Sequence, residues 1–409
     1  MLDINLETGN ELLDSIDPAN RLETELFGIT YRSPLVVASG TLIEQAESIQ
    51  PFIDAGAGAV VPRTTRLVME RTVHPSPHLY QEGARTSVNM LNAEWTGSDI
   101  GYWRPYLDEM SKTDRVVMAV SGRDVEGCVK VCEEVDDYEF PYIEINVGCG
   151  VTNGVIGFIT RDEEHIKRLV GTIKDAELKT PIALKLGHSD YIVHLSDIAK
   201  QAGAEGIVAV NTLGPVFDFQ IDKNGRPQRV LGVEGGRGGL SGNSLFHIAL
   251  TDVALISQEV GLPVIASGGV TTAERAIKMI YAGASLVQVY SYLHDRGVNA
   301  PEALTSLTRS LATYMSAHQV KSVRDIHGQA LHLMSQPTQL EPQIPVVDEH
   351  ICTGCDRCLP VCLPDAFAIE KANNRNGHIV SVIGEACVGC GLCVAVCPVE
   401  GAIKLPSNS

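Results

Sequence analysis

The chain has 409 residues with a formal net charge of −18, and no basic run offsets it, which argues against nucleic acid or an anionic membrane as a partner. An apolar content of 44% supports a sizeable core. No apolar run approaches the roughly 20 residues needed to span a bilayer, and the acidic, polar start MLDINLETGNELLD is not a signal peptide.

Residues 1–30 read as a lead-in. From Pro34 onward a unit recurs: a short apolar, often β-branched run, then a small or polar residue, then a stretch of helical period. The runs are 34–40, 58–64, 115–122, 142–148, 181–187, 206–212, 263–269 and 285–291. Amphipathic stretches fall between them, among them 162–176, 194–203 and 271–283. Continuous apolar strands alternating with helices predict parallel βα units. Eight of them predict a (β/α)8 TIM barrel over residues 1–335, with an open doubly wound sheet as the alternative. Cys128 and Cys132, one helical turn apart, read as core.

Active sites of such barrels lie where the strands end. There the chain places Ser39, Arg63, Thr64, Asn146, Lys185, Asn211, Thr212, Ser267 and Ser291. Two glycine-containing segments, 239–244 and 267–269, read as phosphate cradles at helix starts or, more simply, as tight turns. The stretch GVEGGRGG (232–239) is not a dinucleotide fingerprint, because no strand–helix unit with a distant acidic residue surrounds it. Lys185, ending LKLG, is a candidate Schiff-base nucleophile or a cationic partner for a ligand, with an exposed lysine as the plainer alternative. Cys149, between glycines at the end of the fourth run, is a candidate nucleophile or general acid/base, or else a spare buried thiol.

Residues 336–345 hold three prolines, and 336–346 read as a linker. The rest, 347–409, carries two cysteine runs. Cys352, Cys355, Cys358 and Cys362 are spaced C-x2-C-x2-C-x3-C, and Cys387, Cys390, Cys393 and Cys397 repeat the spacing. This is the thiolate pattern of a small α+β two-cluster ferredoxin domain binding two [4Fe–4S] clusters. Zinc sites or disulfides are the alternatives, but zinc usually takes two C-x2-C pairs. In that pattern the fourth cysteine of each run serves the other cluster. Cys397 therefore joins Cys352, Cys355 and Cys358, and Cys362 joins Cys387, Cys390 and Cys393. The first run departs slightly, since Leu363 stands before Pro364. So many thiolates fit a reducing, cytoplasmic setting.

The strings VVASG, GAGAVVPRT, MLNAE, EINVGC, ALKLG, AVNT, GGLSG, ASGGV and QVYS stand in register ahead of the two cysteine runs. From about Phe27 to Lys404 the chain resembles the pyrimidine-reducing part of dihydropyrimidine dehydrogenase and the corresponding bacterial subunit. More distantly it is similar to class 1 dihydroorotate dehydrogenases. The resemblance implies FMN in the barrel mouth, contacted by Ala38, Ser39, Arg63, Thr64 and Glu94. It places Lys185 beside the pyrimidine edge of the flavin. Gly242, Ser267, Gly268, Gly269, Tyr290 and Ser291 would hold the phosphate. Asn92, Asn146, Asn211 and Thr212 would bind substrate, and Cys149 would be the general acid. The implied reaction reduces or oxidises a C=C bond beside a carbonyl in a pyrimidine-type ring such as uracil or thymine, with electrons passed through the clusters. Dihydroorotate oxidation is the alternative activity, and an electron-transfer subunit without its own chemistry is a third. The implied partners are an FAD- and NAD(P)H-binding protein or a soluble ferredoxin, in a homodimer or hetero-oligomer.

Three departures bear on the substrate. The family's N-L-S-C-P is Asn146-Val147-Gly148-Cys149-Gly150 here, the loop after Cys149 is shorter, and Arg63 replaces a lysine.

Overall fold

The computed structural model describes Leu13 and residues 22–68, 78–81, 88–92, 98–122, 124–148, 162–231, 236–337, 341–374 and 376–406. They form two compact units, 1–334 and 335–409.

Eight parallel strands among the described residues build the first unit: β1 (Leu35–Val37), β2 (Ala59–Val60), β3 (Met118–Val120), β4 (Ile143–Asn146), β5 (Ile182–Leu186), β6 (Gly206–Ala209), β7 (Val264–Ser267) and β8 (Ala284–Val289). Each falls on one of the eight runs read from the sequence, β8 starting one residue earlier at Ala284. Neighbours in chain order pair, apart from β2 and β3, and β8 returns to β1. Val60 and Val116 form a parallel bridge, with Val60 N–H donating to Arg115 C=O (2.8 Å) and Val117 N–H to Val60 C=O (3.1 Å). That bridge closes the ring between β2 and β3, so the sheet is a barrel and not an open doubly wound sheet.

Helices α1 (Ile49–Asp54), α2 (Leu107–Ser111), α3 (Val125–Asp136), α4 (Glu163–Asp175), α5 (Ile192–Ala202), α6 (Phe246–Glu259), α7 (Ala273–Tyr281) and α8 (Ala300–Ala317) follow the strands in turn. Asp124, Asp162 and Thr272 cap α3, α4 and α7 by accepting backbone N–H groups of the first turn. Cys128 and Cys132 face the core from α3.

Strand alternation divides the side chains into two sets. One, such as Leu184 and Leu186 of β5, packs outward under the helices. The other fills the barrel with Val36, Ala59, Val117, Ala119, Tyr142, Ala183, Val208, Ile265 and Leu286. A hairpin of Thr24–Leu26 and Ile29–Tyr31 joins that interior cluster. Its turn, Phe27–Gly28, has both residues at positive φ, as a two-residue hairpin requires. The Phe27 ring meets Tyr142 edge-on at 5.5 Å. The segments leaving β2 and β6 build a four-stranded antiparallel sheet from residues 78–81, 88–92, 213–217 and 237–242.

In the second unit β9 (Val346–Val347) pairs with β12 (Ile403–Lys404), and β10 (Phe367–Lys371) pairs with β11 (His378–Val382), both antiparallel. The core here is small and includes Cys358, Cys393, Val380 and Ile403. Among the described residues no helix is long and apolar enough to cross a membrane.

Candidate active site and cluster cavities

At the C-terminal ends of the barrel strands, five residues singled out in the sequence form one hydrogen-bonded chain. Ser39 and Thr64 hydroxyls lie 3.2 Å apart, and Asn146 Nδ2 donates to Thr64 Oγ1 at 3.1 Å. Asn211 Nδ2 donates to Asn146 Oδ1 at 2.9 Å, while Asn211 Oδ1 accepts from Thr212 N–H at 2.8 Å. The chain crosses the ends of β1, β2, β4 and β6. Each amide keeps one N–H and one lone pair for a ligand. Asn92 belongs to the antiparallel sheet, opposite Gly239. A Cβ on Gly239 would stand 2.2 Å from Thr212 Oγ1, so Asn92 and Thr212 belong to one locality.

Lys185 lies inside the barrel and is 5% exposed, which sets aside the exposed-lysine reading. Its Nζ donates to Glu144 Oε1 at 2.9 Å and to Gln288 Oε1 at 2.8 Å. Gln288 Nε2 donates to the other Glu144 oxygen, closing a three-membered ring. Glu144 and Gln288 were missed in the sequence. The signal was there: Tyr142, Glu144 and Asn146 alternate on β4, so all three face inward.

The phosphate-cradle residues also gather. Ser241 and Ser291 hydroxyls are 2.8 Å apart. Gly242, Gly268 and Gly269 have φ of 96°, 123° and 68°. A Cβ on Gly268 would approach Ala249 Cβ to 2.8 Å, and one on Gly269 the Phe246 N to 2.6 Å. Only glycine fits either position, and both loops turn at the start of α6. Gly268 follows Ser267, whose β7 position pairs with Gln288. Tyr290 Oη meets Thr41 N–H at 2.9 Å and Thr41 Oγ1 at 2.8 Å. Its ring leaves 2.2 Å for a Cβ on Gly40. Arg275, not foreseen, braces the two loops by donating to Gly269 C=O (2.7 Å) and Asn243 C=O (3.4 Å). Burial lowers its pKa. Another unforeseen group is Asn89: its Oδ1 accepts Ser244 N–H at 2.9 Å, while its buried Nδ2 has no protein partner. This constellation, with glycine-lined turns and a buried donor beside them, fits a phosphorylated cofactor.

Ala38 is buried at the end of β1. Arg63 is 2% exposed, and its guanidinium is bonded to Glu44. Gly148 explains one departure from the family pattern. A Cβ there would stand 2.7 Å from both Asn211 Cβ and Gly187 N, so no serine fits. Cys149 and Glu94 lie outside the described residues.

In the second unit, one cavity is lined by Cys352, Cys355, Cys358 and Cys397, and the other by Cys362, Cys387, Cys390 and Cys393. Gly354, Gly389 and Gly391, at φ of 64°, 67° and 74°, bend the loops around them. Backbone N–H groups of Ala366 and Gly389 point at Cys362 and Cys387 sulfurs, at 3.3 and 3.4 Å. Burial, with the nearby thiols of Cys355, Cys352 and Cys393, pushes the Cys358 thiol up to about 11. Cluster loading therefore displaces a proton there. Among the described residues no three His, Cys, Asp or Glu side chains converge as for a single ion. Four thiols around each cavity suit a cluster instead.

The two loops are held differently. Asn374 Nδ2 donates to Cys352 C=O at 3.1 Å, and Asn376 Nδ2 donates to Thr353 and Gly354 C=O at 2.8 and 3.0 Å. His378 Nε2 and Asp356 Oδ1 are 2.7 Å apart. The tip of the β10–β11 hairpin thus clamps the first loop. The second loop rests on the entering chain: a Cβ on Gly389 would meet Gln343 N at 2.9 Å.

A family model described as Dihydroorotate dehydrogenase matches residues 21–312, and one described as 4Fe-4S dicluster domain matches 343–405. Similar proteins include the Dihydroorotate dehydrogenase B (NAD(+)), catalytic subunit, of Methanothermobacter thermautotrophicus, 30% identical over 321 residues, covering 76% of this chain and 98% of that one. The protein of the same description from Pyrococcus furiosus is 27% identical over 313 residues, with the same coverage. A Dihydroorotate dehydrogenase A (fumarate) of Limosilactobacillus reuteri is 29% identical, covering 75% of this chain and 97% of its own. The crystal structure of DHODH in complex with ferulenol from Eimeria tenella superposes with a TM-score of 0.61 at 19% identity, covering 82% of this chain and 96% of that one. That likeness shows the fold. The named relatives point to the more distant of the two resemblances read from the motifs. The chain belongs to the dihydroorotate dehydrogenase family.

Proposed function

We propose that the chain is an FMN- and iron–sulfur-dependent oxidoreductase of the dihydroorotate dehydrogenase kind. It exchanges a hydride and a proton with the CH–CH/C=C pair beside a carbonyl in a pyrimidine-type ring. Bound FMN supplies the hydride chemistry. The observation that carries the reading is the amide chain Thr64–Asn146–Asn211–Thr212 at the strand ends, with Lys185 buried in the same barrel. The spare N–H and C=O valences of Asn146 and Asn211 match the alternating donors and acceptors of a cyclic imide. Asn92 adds a third amide. Lys185 presents a cation to the pyrimidine edge of the flavin, where negative charge gathers on reduction. Ala38, Ser39, Arg63, Thr64 and Glu94 line the ring system. Gly242, Ser267, Gly268, Gly269, Tyr290 and Ser291 hold the phosphate, with Asn89 beside them. Cys149 takes the proton from the ring carbon next to the one that loses hydride, or returns it when the reaction runs backward.

Two [4Fe–4S] clusters, each held by three cysteines of one run and the fourth of the other, carry electrons onward. The relatives' description as NAD(+)-dependent catalytic subunits supports a separate FAD- and NAD(P)H-binding partner. A soluble ferredoxin is the other acceptor class.

One observation favours a second reading, a neutral ring such as uracil or thymine. A carboxylated ring requires a cation, and the buried Arg63 guanidinium is already paired with the half-exposed carboxylate of Glu44. Anaerobic protein is mixed with dihydroorotate or dihydrouracil and the flavin band is followed. Bleaching by dihydroorotate supports the first reading; bleaching by dihydrouracil alone supports the second. No bleaching with either removes the pyrimidine substrate.

A further inference from the structure

Glu144 is fully buried in a barrel whose other interior residues are almost all apolar. A carboxylate there requires compensation. Lys185 and Gln288 provide it through the closed ring of three hydrogen bonds. The ring leaves two N–H donors over, one on Gln288 Nε2 and one on Lys185 Nζ. Each Glu144 oxygen accepts one donor, and Gln288 uses both ends of its amide. The Lys185 ammonium has three N–H donors, of which the ring consumes two. The third has no protein partner among the described residues. Three strands (β4, β5 and β8) hold the group, and neither Glu144 nor Gln288 has rotational freedom while the ring is closed.

We propose that Glu144 and Gln288 are positioning residues that act through Lys185: they hold its ammonium in place inside the barrel and aim its remaining N–H at the flavin. The inference rests on the reading that FMN lies beside Lys185. Without the carboxylate the ammonium loses the ionic partner that holds it in place. The remaining groups facing Lys185 do not replace that charge. Tyr142 on β4 and Tyr31 on the floor hairpin are phenols whose pKa burial raises, so they stay neutral. Inward from β6, β7 and the β3 segment come Val208, Ile265 and Ala119.

The test is a reductive titration of the full-length, FMN-loaded protein under argon, with the flavin band followed separately from the clusters. Glu144→Gln is expected to lower the preference for reduced over oxidised FMN at least about tenfold, about 30 mV for a two-electron couple. Glu144→Asp stays near the wild type. Lys185→Met shows the full loss, and the double variant equals Lys185→Met alone. Gln288→Leu gives a smaller loss in the same direction, and it carries the test should Glu144→Gln not fold. An unchanged or higher preference in Glu144→Gln, or losses that add in the double variant, overturns the proposal while leaving Lys185 at the flavin. No effect of Lys185→Met overturns it together with the reading beneath.

Discussion

Gly148 shows how one missing side chain shapes a site. Its backbone packs so closely on Asn211 and Gly187 that even a Cβ intrudes. Gly148→Ser therefore forces Asn211 away from Asn146 or bends the end of β4. Overpacking of this kind costs about 1–3 kcal/mol. Thermal denaturation is expected to show that loss, with weaker binding of the ring substrate; an unchanged melting temperature and affinity would mean that the loop has slack. At this scale the sequence disclosed which positions matter and not what they bond to. Lys185 stood out as a lysine inside an apolar strand. Glu144 did not, since its carboxylate in YIEIN looks like an ordinary polar break until the alternation of β4 turns it inward. Arg63 was legible as a cation, but its partner Glu44 comes from a separate loop and leaves no local trace. Arg275 and Asn89 brace or line the phosphate end from elements whose packing no short motif encodes.

Among elements, the cysteine loops and the hairpin between them carry the sharpest expectations. The proposed crossed ligand sets require Cys397→Ala to damage the same cluster as Cys352→Ala, and Cys362→Ala the same one as Cys387→Ala. Electron paramagnetic resonance of the reduced variants distinguishes the two clusters; grouping of Cys397→Ala with Cys387→Ala would refute the crossing. Among the described residues, the hairpin tip bonds to the first loop through Asn374 and Asn376. Asn376→Ala removes two hydrogen bonds from it, with a loss of about 1–3 kcal/mol. Its first cluster is expected to bleach in air several times faster than in the wild type, with the second unaffected. Equal loss of both would show that the tip stabilises the whole domain. The eight strands were readable because each is a continuous apolar run closed by a polar residue, as parallel strands buried on both faces demand. Their number already pointed to a closed barrel; the contacts that close it, Val60 with Val116 and Thr65 with Val120, left no mark in their runs.

Taken whole, the molecule joins a barrel that fits a flavin to a domain that fits two clusters, in one polypeptide. The dihydroorotate dehydrogenase relatives are covered almost end to end by about three quarters of this chain. The match to a 4Fe-4S dicluster domain lies beyond residue 312, where the family match ends. On the proposed reading, the second unit is the electron outlet of the first, whichever protein receives the electrons. Spacing picked out the cysteines that line the two cavities, because three of each set lie on one loop. Substrate identity stayed out of reach because it depends on charge balance around Arg63 and on the stretch containing Cys149.

The most direct measurement is an anaerobic titration of the full-length protein, purified alone, with dihydroorotate and with dihydrouracil, followed by absorbance and electron paramagnetic resonance. One of the two rings should bleach the flavin band and then bring up the signals of both reduced clusters, with no second protein present. Material that carries no FMN, or whose clusters stay oxidised while the flavin is reduced, would contradict the account.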